Sequence, residues 1–298
     1  MIHRLEIGCK VNLFLAITGV RADGYHELET LFYPCPAPQD TLELEMAGGA
    51  GGQGLILTCS DKALETPGNL AIRAYEAFAD RTGCRPGLRA HLTKRIPSGA
   101  GLGGGSADAA AMLRWLNDQA RAGGQDLPEA DLTALAARLG ADVPFFLVNS
   151  PAWATGIGDA LKPAPCSLSG LSLLVAVPPE RVETAWAYKA WDQAQARGEG
   201  ALSTAPQSQA PLTSLCPASM GPFCVSGAFI ANSFEAVVFR AYPAVRLLKE
   251  RLLAQGAAAA GMSGSGSAVF GIFRDASRAR DAATALAVSG TAVFSALL

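Results

Sequence analysis

The first part of the chain alternates between apolar and other residues. From position 5 to position 17 every odd-numbered residue is apolar, and the even-numbered residues include Lys10 and Asn12. A period of two is typical of a half-buried β-strand, in which successive side chains point to opposite faces. The pattern therefore predicts a strand over residues 5–17 with Lys10 and Asn12 on the same face.

The rest of the pattern predicts strands and helices that are mixed along the chain without strict alternation. A turn at residues 23–26 leads to a second strand over residues 29–35, which Pro34 and Pro36 are expected to end. Further strands are predicted over residues 41–45, 55–58, 88–92 and 171–177, near 291–294, and on both sides of a glycine loop within 258–273. Helices are predicted over residues 69–81, 106–121, 132–139, 184–191, 233–240 and 244–255, and from residue 276. This order favours an α+β fold with mixed or antiparallel sheets and helices packed on one face.

Length and composition set the number and kind of domains. The chain has 298 residues, which is enough for two domains, and we place the boundary between residues 158 and 159. Half of the residues are apolar and 17% are charged, which excludes an intrinsically disordered chain. Residues 193–222 are rich in Ser, Pro, Gln and Ala and predict a long surface excursion.

Charge, cysteine content and hydropathy exclude several classes of function. The net charge of −2 leaves no basic surface for a nucleic acid. Seven cysteines that are never closer than eight positions, together with only three histidines, argue against a metal cluster and for reduced thiols. Apolar stretches such as residues 171–177 are far shorter than the ~20 residues of a membrane span, and polar residues interrupt the one segment that looks like a signal-peptide core. We therefore expect a cytoplasmic protein with neither a nucleic acid nor a membrane as its partner.

Five glycines stand directly before a predicted helix, in the segment PSGAGLGGGSAD at residues 97–108. Glycine lets the backbone approach a ligand closely, and a helix N-terminus adds N–H groups and the positive end of its dipole. The combination predicts a polyphosphate site, and a flexible turn before the helix is the alternative. The segment is not a P-loop, because no GxxxxGK[ST] is present, and the HRD and DFG motifs of protein kinases are also missing. Its GxGxxG is only a weak indication of a dinucleotide site, because the preceding residues alternate instead of forming a buried parallel strand.

Six motifs resemble those of the GHMP kinases, the small-molecule kinases named for galactose, homoserine, mevalonate and phosphomevalonate. Residues 97–109 resemble the central glycine motif. The others are KVNLFL at 10–15, RADGYH at 21–26, GADVPFF at 140–146, NSFE at 232–235 and GMSGSGS at 261–267. They resemble the N-terminal motif, the substrate turn, the catalytic segment, a helix start and the C-terminal glycine loop. Their form is most similar to the branch whose substrate is a cytidine diphosphate-linked alcohol of non-mevalonate isoprenoid biosynthesis.

The resemblance implies a fold, a reaction and a set of site residues. The fold has an N-terminal ATP-binding domain at 1–158, a C-terminal substrate-side domain at 159–298, and the active site in the cleft between them. The reaction transfers a phosphoryl group from ATP, with Mg²⁺, to a hydroxyl group of that small-molecule substrate.

The implied catalytic residues are Lys10 and Asp142. The implied ATP-binding residues are Pro97, Ser98, Gly99, Ala100, Gly101, Leu102, Gly103, Gly104, Gly105, Ser106 and Ala107. The implied substrate-binding residues are Asn12, Tyr25, His26, Thr184, Tyr188, Gly264 and Ser265. No residue is assigned to magnesium, and the oligomeric state stays open.

The same residues also have structural interpretations. Asp142 precedes Val143 and Pro144 and suits the N-cap of a helix, and Lys10 could be an ordinary lysine on the wet face of a strand. Tyr25 and His26 could be turn residues, Tyr188 could be a core residue, and residues 261–267 could be a flexible linker. Two other functions also remain as alternatives. One is a GHMP kinase of the homoserine or mevalonate type, and the other is a catalytically silent relative that binds a nucleotide.

Overall fold

The structure, a computed structural model, describes residues 1–47, 54–199, 230–287 and 290–298. The chain forms two compact units whose segments alternate along the sequence. Unit 1 comprises Met1–Cys9, Pro38–Ile96 and Gly103–Asn149, and unit 2 comprises Lys10–Ala37, Pro97–Leu102 and Ser150–Leu298. The sequence-based division is a single cut after residue 158, and its assignment of ATP and substrate to the two halves stays a prediction.

Unit 1 contains a mixed sheet and the helices that share its core. The strand order is β3-β4-β2-β1, where β1 is Ile2–Val20, β2 is His26–Met46, β3 is Leu55–Cys59 and β4 is Leu88–Thr93. Residues 2–9 of β1 and 38–46 of β2 belong to unit 1, and the rest of these two strands belongs to unit 2. Strand β3 runs parallel to β4, and β4 runs antiparallel to β2. The helices are α1 (Leu70–Thr82), α2 (Gly104–Ala120), α3 (Glu129–Leu139) and α4 (Val143–Val148). The predicted apolar stripe of α2 is fully buried: Ala109, Met112, Leu113 and Leu116.

Unit 2 contains an antiparallel sheet with the strand order β11-β7-β10-β9. Its strands are β7 (Ser172–Val177), β9 (Ala259–Met262), β10 (Val269–Phe273) and β11 (Ala292–Leu297). The helices are α5 (Thr184–Ala196), α6 (Glu235–Ala241), α7 (Pro243–Ala254) and α8 (Ala276–Leu286). They contribute apolar residues to one core with this sheet. Strands β5 (Ala152–Thr155) and β6 (Ala160–Pro163) form an antiparallel pair, and β8 (Ala231–Asn232) runs parallel to β1.

Two predictions about individual elements are wrong. Pro34 and Pro36 do not end a strand, because β2 continues to Met46. Strand β2 pairs with β5 at residues 30–32 and with β4 at residues 41–46, so the prolines fall between these two stretches, where neither β5 nor β4 needs their N–H groups. The predicted excursion does not begin at residue 193, because α5 continues to Ala196 and buries Ala194. The rest of that excursion, from residue 200 on, lies outside the described residues.

The predicted fold class is confirmed. The described residues form mixed and antiparallel sheets with helices packed against them. In the part of the chain that the structure describes, no helix has both the length and the apolar content needed to cross a membrane.

Candidate active site

Lys10 and Asn12 lie on the same face of β1, as the alternation predicts, and both are buried, with exposed fractions of 4% and 2%. Lys10 Nζ donates a hydrogen bond of 2.6 Å to Asn12 Oδ1 and lies 5.0 Å from the ring centroid of Phe32. Asn12 Nδ2 donates to Thr30 Oγ1 over 2.8 Å, and the threonine hydroxyl donates to the carbonyl of Phe14. The interpretation of Lys10 as an ordinary lysine on a wet face is therefore wrong. Its ammonium group is held in one place by a side chain that is itself fixed.

Residues 99–102 pack against the C-terminal glycine segment, residues 261–267, within unit 2. Ser263 Oγ donates to the carbonyl of Gly101 over 2.9 Å, and the N–H of Ala268 donates to the carbonyl of Ala100 over 3.1 Å. Gly101 has a φ of +80°, and a Cβ on it would lie 2.1 Å from the carbonyl oxygen of Ser263. No other residue fits there without a shift of the backbone. Because both segments are held this closely, the interpretation of residues 261–267 as a flexible linker is wrong.

Asn232 fixes the C-terminal glycine segment from a second side. Its Nδ2 donates to the carbonyls of Met262 and Gly264, each over 2.8 Å, and its Oδ1 accepts from the N–H of Phe234. The NSFE motif thus supplies a buried amide that orients this segment. Among the predicted substrate residues of this region, Gly264 is buried, and the hydroxyl groups of Ser265 and Thr184 lie 2.9 Å apart.

His26 and Tyr188, both predicted to bind the substrate, contact each other in unit 2. Their ring centroids are 4.5 Å apart with an angle of 32° between the ring planes. His26 Nε2 also lies 2.7 Å from Asp192 Oδ1, and Trp191 packs edge-on against the imidazole. Tyr25 is 61% exposed. A stack of Tyr25 and Tyr188 on the two faces of a cytosine stays a prediction.

The second half of the central glycine motif begins α2 in unit 1. Gly103 is the N-cap, with a φ of +73° that favours glycine, and the helix starts at Gly104. The N–H groups of residues 104–106 therefore lie in the first turn, where a helix offers them no acceptor. Such a turn can bind an anion. Of the remaining predicted residues, Ala107 is buried, Ser106 and Pro97 are half-buried, and Ser98 is exposed.

Asp142 lies directly before α4, at the N-cap position that its sequence suggests. Its side chain is half-buried and makes no capping hydrogen bond with the helix. The interpretation of the carboxylate as a helix cap is therefore wrong, since that role requires a bond to an N–H of the first turn.

A buried ion cluster in unit 1 escaped the sequence interpretation. Lys94 Nζ contacts both Asp40 Oδ2 and Asp108 Oδ2, the latter at 2.7 Å. Asp108 is a charged residue within the apolar stretch of a predicted helix, and this is the signal that could have revealed the ion cluster. The supporting residue Thr30 carries no comparable signal, because it belongs to an ordinary strand pattern, whereas Ser263 lies within the GMSGSGS motif but nothing local distinguishes it from the other serines there.

Comparison with known proteins places the chain in a family. The description "GHMP kinases N terminal domain" matches residues 69–150, and "GHMP kinases C terminal" matches residues 219–290. The chain belongs to the GHMP kinase family. It is 50% identical over 290 residues to the 4-diphosphocytidyl-2-C-methyl-D-erythritol kinase of Solidesulfovibrio magneticus, with 97% of this chain and 95% of that protein covered. It is 44% identical over 297 residues to the enzyme of the same name from Nitratidesulfovibrio vulgaris strain Hildenborough, with 99% and 98% covered.

A solved structure supports the same relationship. The crystal structure of a 4-(cytidine 5'-diphospho)-2C-methyl-D-erythritol kinase superposes with a TM-score of 0.74 at 34% sequence identity, with 98% of each chain covered. The resemblance of the six motifs to this family is thereby confirmed. The homoserine kinase of Cytophaga hutchinsonii, at 17% identity and a TM-score of 0.61, shares the fold.

Proposed function

We propose that this GHMP kinase transfers the γ-phosphoryl group of ATP to the 2-hydroxyl group of 4-diphosphocytidyl-2-C-methyl-D-erythritol, in non-mevalonate isoprenoid biosynthesis. The observation that carries the proposal is the 50% identity, over 97% of the chain, with a protein named for that substrate. The cytoplasmic location and the absence of nucleic acid and membrane partners stay predictions.

The acceptor hydroxyl would react at Lys10, Asn12 and Asp142. As the hydroxyl oxygen attacks the γ-phosphorus, its proton passes to the Asp142 carboxylate and ADP leaves with the electron pair of the broken P–O bond. Lys10 counters the negative charge that develops on the transferring group, and its fixed position means that no reorganisation is needed at that moment. Asn12 orients the hydroxyl. The buried hydrogen bonds of Lys10 and Asn12 support these roles.

ATP would bind along residues 97–107 with its phosphates at the first turn of α2, and it would arrive as the magnesium complex. In the described residues no group of three or more His, Cys, Asp or Glu side chains could hold a metal ion. Magnesium would be carried mainly by the phosphate oxygens of ATP, as is usual in kinases. When bound, the ion would supply positive charge that neutralises the phosphates, and residues 97–107 would position them.

The cytidine diphosphate part of the substrate would bind in unit 2. His26 offers hydrogen bonds to the edge of the base, and Tyr25 and Tyr188 offer ring faces to it. Thr184, Gly264 and Ser265 would lie near the substrate phosphates. The contact between His26 and Tyr188 and the bond between Thr184 and Ser265 support a shared role for each pair.

The test is turnover with three acceptors. Purified protein is incubated with ATP, magnesium and either 4-diphosphocytidyl-2-C-methyl-D-erythritol, homoserine or mevalonate, and ADP release and the mass of the product are followed. We expect turnover with the cytidine compound alone. Turnover with homoserine or mevalonate instead, or nucleotide binding with no turnover, would overturn the proposal in favour of the corresponding alternative.

Asp142→Asn removes the proposed base while keeping the size of the side chain. General base catalysis typically contributes 10²–10⁴-fold, so we expect kcat to fall by about that factor with little change in ATP binding or stability. Asp131→Asn is a matched control, because Asp131 is an exposed carboxylate of α3 in the same unit. Activity within a few-fold of the native enzyme would mean that another group takes the proton.

A further inference from the structure

The ion cluster of unit 1, here called the Lys94 cluster, consists of Lys94, Asp40 and Asp108. The side chains of Asp40, Asp108 and Lys94 are exposed by only 0%, 3% and 9%. They come from β2, from α2 and from the residue that follows β4. Two carboxyl groups therefore share one ammonium group away from water, which is costly unless the charges balance.

The two carboxyl groups differ in the donors that face them. Asp40 Oδ1 accepts hydrogen bonds from the N–H groups of Arg95 and Ile96 at 2.6 and 2.8 Å, and its Oδ2 contacts Lys94 Nζ. Asp108 Oδ2 accepts from Lys94, but its Oδ1 has no hydrogen-bond partner among the described residues. Asp40 is thus solvated by the protein as an anion, whereas Asp108 can carry a proton without meeting another donor.

Charge and burial agree with this assignment. Burial raises the pKa of Asp108 to about 7, and the negative charge of Asp40 acts in the same direction while Lys94 opposes both. For Lys94, burial disfavours the charge but Asp108 and Asp40 outweigh it, so that its pKa is raised and it stays an ammonium ion. Among the described residues, the Cys59 thiol of β3 is a further titratable group that faces the cluster; burial raises its pKa, so that it stays neutral.

The cluster lies directly against the start of α2. Asp108 is in the second turn of that helix, and Arg95 and Ile96 lead into Pro97. A Cβ on Gly104, the first helical residue, would lie 3.3 Å from Lys94 Nζ and 2.8 Å from Ile96 Cγ2. The N-terminus of α2, which would bind the phosphates, therefore packs against Lys94 and Ile96. Asp40 in turn fixes Arg95 and Ile96 through its hydrogen bonds to their N–H groups.

We propose that Asp40, Lys94 and Asp108 are positioning residues for ATP and that Asp108 must be protonated for tight binding. Lys94 and Asp40 fix the chain that enters the glycine motif. Neutral Asp108 leaves the Lys94 cluster without net charge. Once Asp108 loses its proton, the cluster carries one buried negative charge behind the N–H groups that bind a polyanion. The inference rests on the proposed function only in that residues 97–107 bind ATP.

The test measures the Kd for ATP by calorimetry, with magnesium and without acceptor, from pH 6 to pH 8.5. For an assumed separation of about 10 Å and an effective dielectric constant near 20, one extra negative charge would weaken the binding of a phosphate group by about tenfold. Between pH 6 and pH 8.5 we therefore expect the Kd of the native protein to rise about tenfold more than the Kd of Asp108→Asn. The titration of ATP itself is common to both proteins and cancels. Asp118→Asn, an exposed carboxylate on the same helix, is the matched control and is expected to follow the native curve.

Each outcome decides the inference separately from the proposed function. Parallel curves for the native protein and Asp108→Asn would overturn the inference even if the cytidine compound is phosphorylated. A flattened curve for Asp108→Asn would support it even if no acceptor is turned over, and a protein that binds no ATP would overturn it. If Asp108→Asn does not fold, proton uptake by the native protein decides. We expect uptake when magnesium–ATP binds at pH 7.5–8, measured by calorimetry in two buffers of different ionisation enthalpy. No uptake would overturn the inference.

Discussion

Each of the two units buries a lysine against carboxylates next to a glycine segment, but the two arrangements balance their charges differently. In unit 1 the Lys94 cluster has two carboxyl groups for one ammonium group and lies against Gly104. In unit 2 the Lys249 pair, Lys249 and Glu235, has one of each, with 2.7 Å between Nζ and Oε2. Glu235 Oε1 also accepts from the N–H of Met262, the second residue of the C-terminal glycine segment.

The carboxyl groups of Glu235 and Asp108 are both buried, but they differ in the number of hydrogen-bond donors that face them. This number decides which of the two can accept a proton. Burial raises the pKa of Glu235 as it does that of Asp108. Both oxygens of Glu235 nevertheless face donors, so a proton on either would point at another hydrogen, and the geometry fits the ionised pair. Asp108 has one oxygen without a donor. The Lys249 pair therefore serves as a structural tether, and the Lys94 cluster can respond to pH.

The largest effects are expected when either lysine is removed. Lys249→Met leaves one buried carboxyl group without its cation, and Lys94→Met leaves two. Breaking a buried ion pair in this way typically costs about 3–5 kcal/mol of stability. We expect losses of that size in the free energy of unfolding, measured with urea at pH 8.

A second substitution that removes the charge of one facing carboxylate distinguishes the two arrangements when it is added to each lysine variant. Glu235→Gln should restore most of the stability of Lys249→Met, because no charge is then left in the Lys249 pair. Asp108→Asn should restore less of the stability of Lys94→Met, because Asp40 remains an anion. Equal recovery in the two backgrounds would contradict the distinction between one and two carboxyl groups.

The second largest effect is expected from a substitution at the contact between Gly101 and Ser263, where the two glycine segments pack together. Gly101→Ala places a Cβ 2.1 Å from a backbone oxygen, and the backbone must move. Misplacement by about 1 Å can cost about 10²-fold in rate, so we expect a loss of that order in kcat/KM. Gly170→Ala is the matched control, because Gly170, in the same unit but outside the proposed site, also has a positive φ, of +81°, and nothing lies within 4 Å of its Cβ position. If both variants lose the same activity, backbone strain and not the contact with Ser263 explains the loss.

A third effect is the pH dependence of stability that the Lys94 cluster predicts. The folded pKa of Asp108 is about 7 and its ordinary value is 3.8, so between these values the folded protein holds a proton that the unfolded chain has lost. The contribution of the protonated group is fully present below pH 3.8 and is lost as the pH rises towards 7. Relative to Asp108→Asn, the native protein should lose on the order of 2 kcal/mol of unfolding free energy between pH 5 and 8. A constant difference between the two proteins would place the proton elsewhere.

The fold and the positions of the motifs could be predicted from local sequence, but the supports of the site could not. The period of two placed Lys10 and Asn12 on one face, and the apolar stripe of α2 is buried as expected. Each of these two results follows from the periodicity of side chains within one strand or one helix. The bond between Asn12 and Thr30 and the contact of Gly101 with Ser263 join residues 18 and 162 positions apart, and no local pattern specifies such pairings.

The continuation of β2 through two prolines shows a related limit. Proline ends a strand only where a neighbour needs its N–H, and that depends on which strands lie beside it. The pairing of β2 with β5 at one end and with β4 at the other follows from the tertiary structure alone. The same reason explains why Lys94 looked like one more charge at a strand end, since Asp40 lies 54 positions away from it.

The smallest expected effect comes from an exposed ion pair beside the Lys249 pair. Arg246 and Glu250 lie on α7 with Nε and Oε1 3.7 Å apart, and their side chains are 55% and 62% exposed. Water and salt screen such a pair, so we expect Glu250→Gln to change the free energy of unfolding by less than about 0.5 kcal/mol, and by less still in 0.5 M salt. Glu250 is the next residue after Lys249 on the same helix, and the pair differs from the Lys249 pair chiefly in burial. A loss from Glu250→Gln as large as that from Lys249→Met would mean that α7 is held by its charge pattern as a whole. In that case the Lys249 pair would have no special role as a tether of the C-terminal glycine segment.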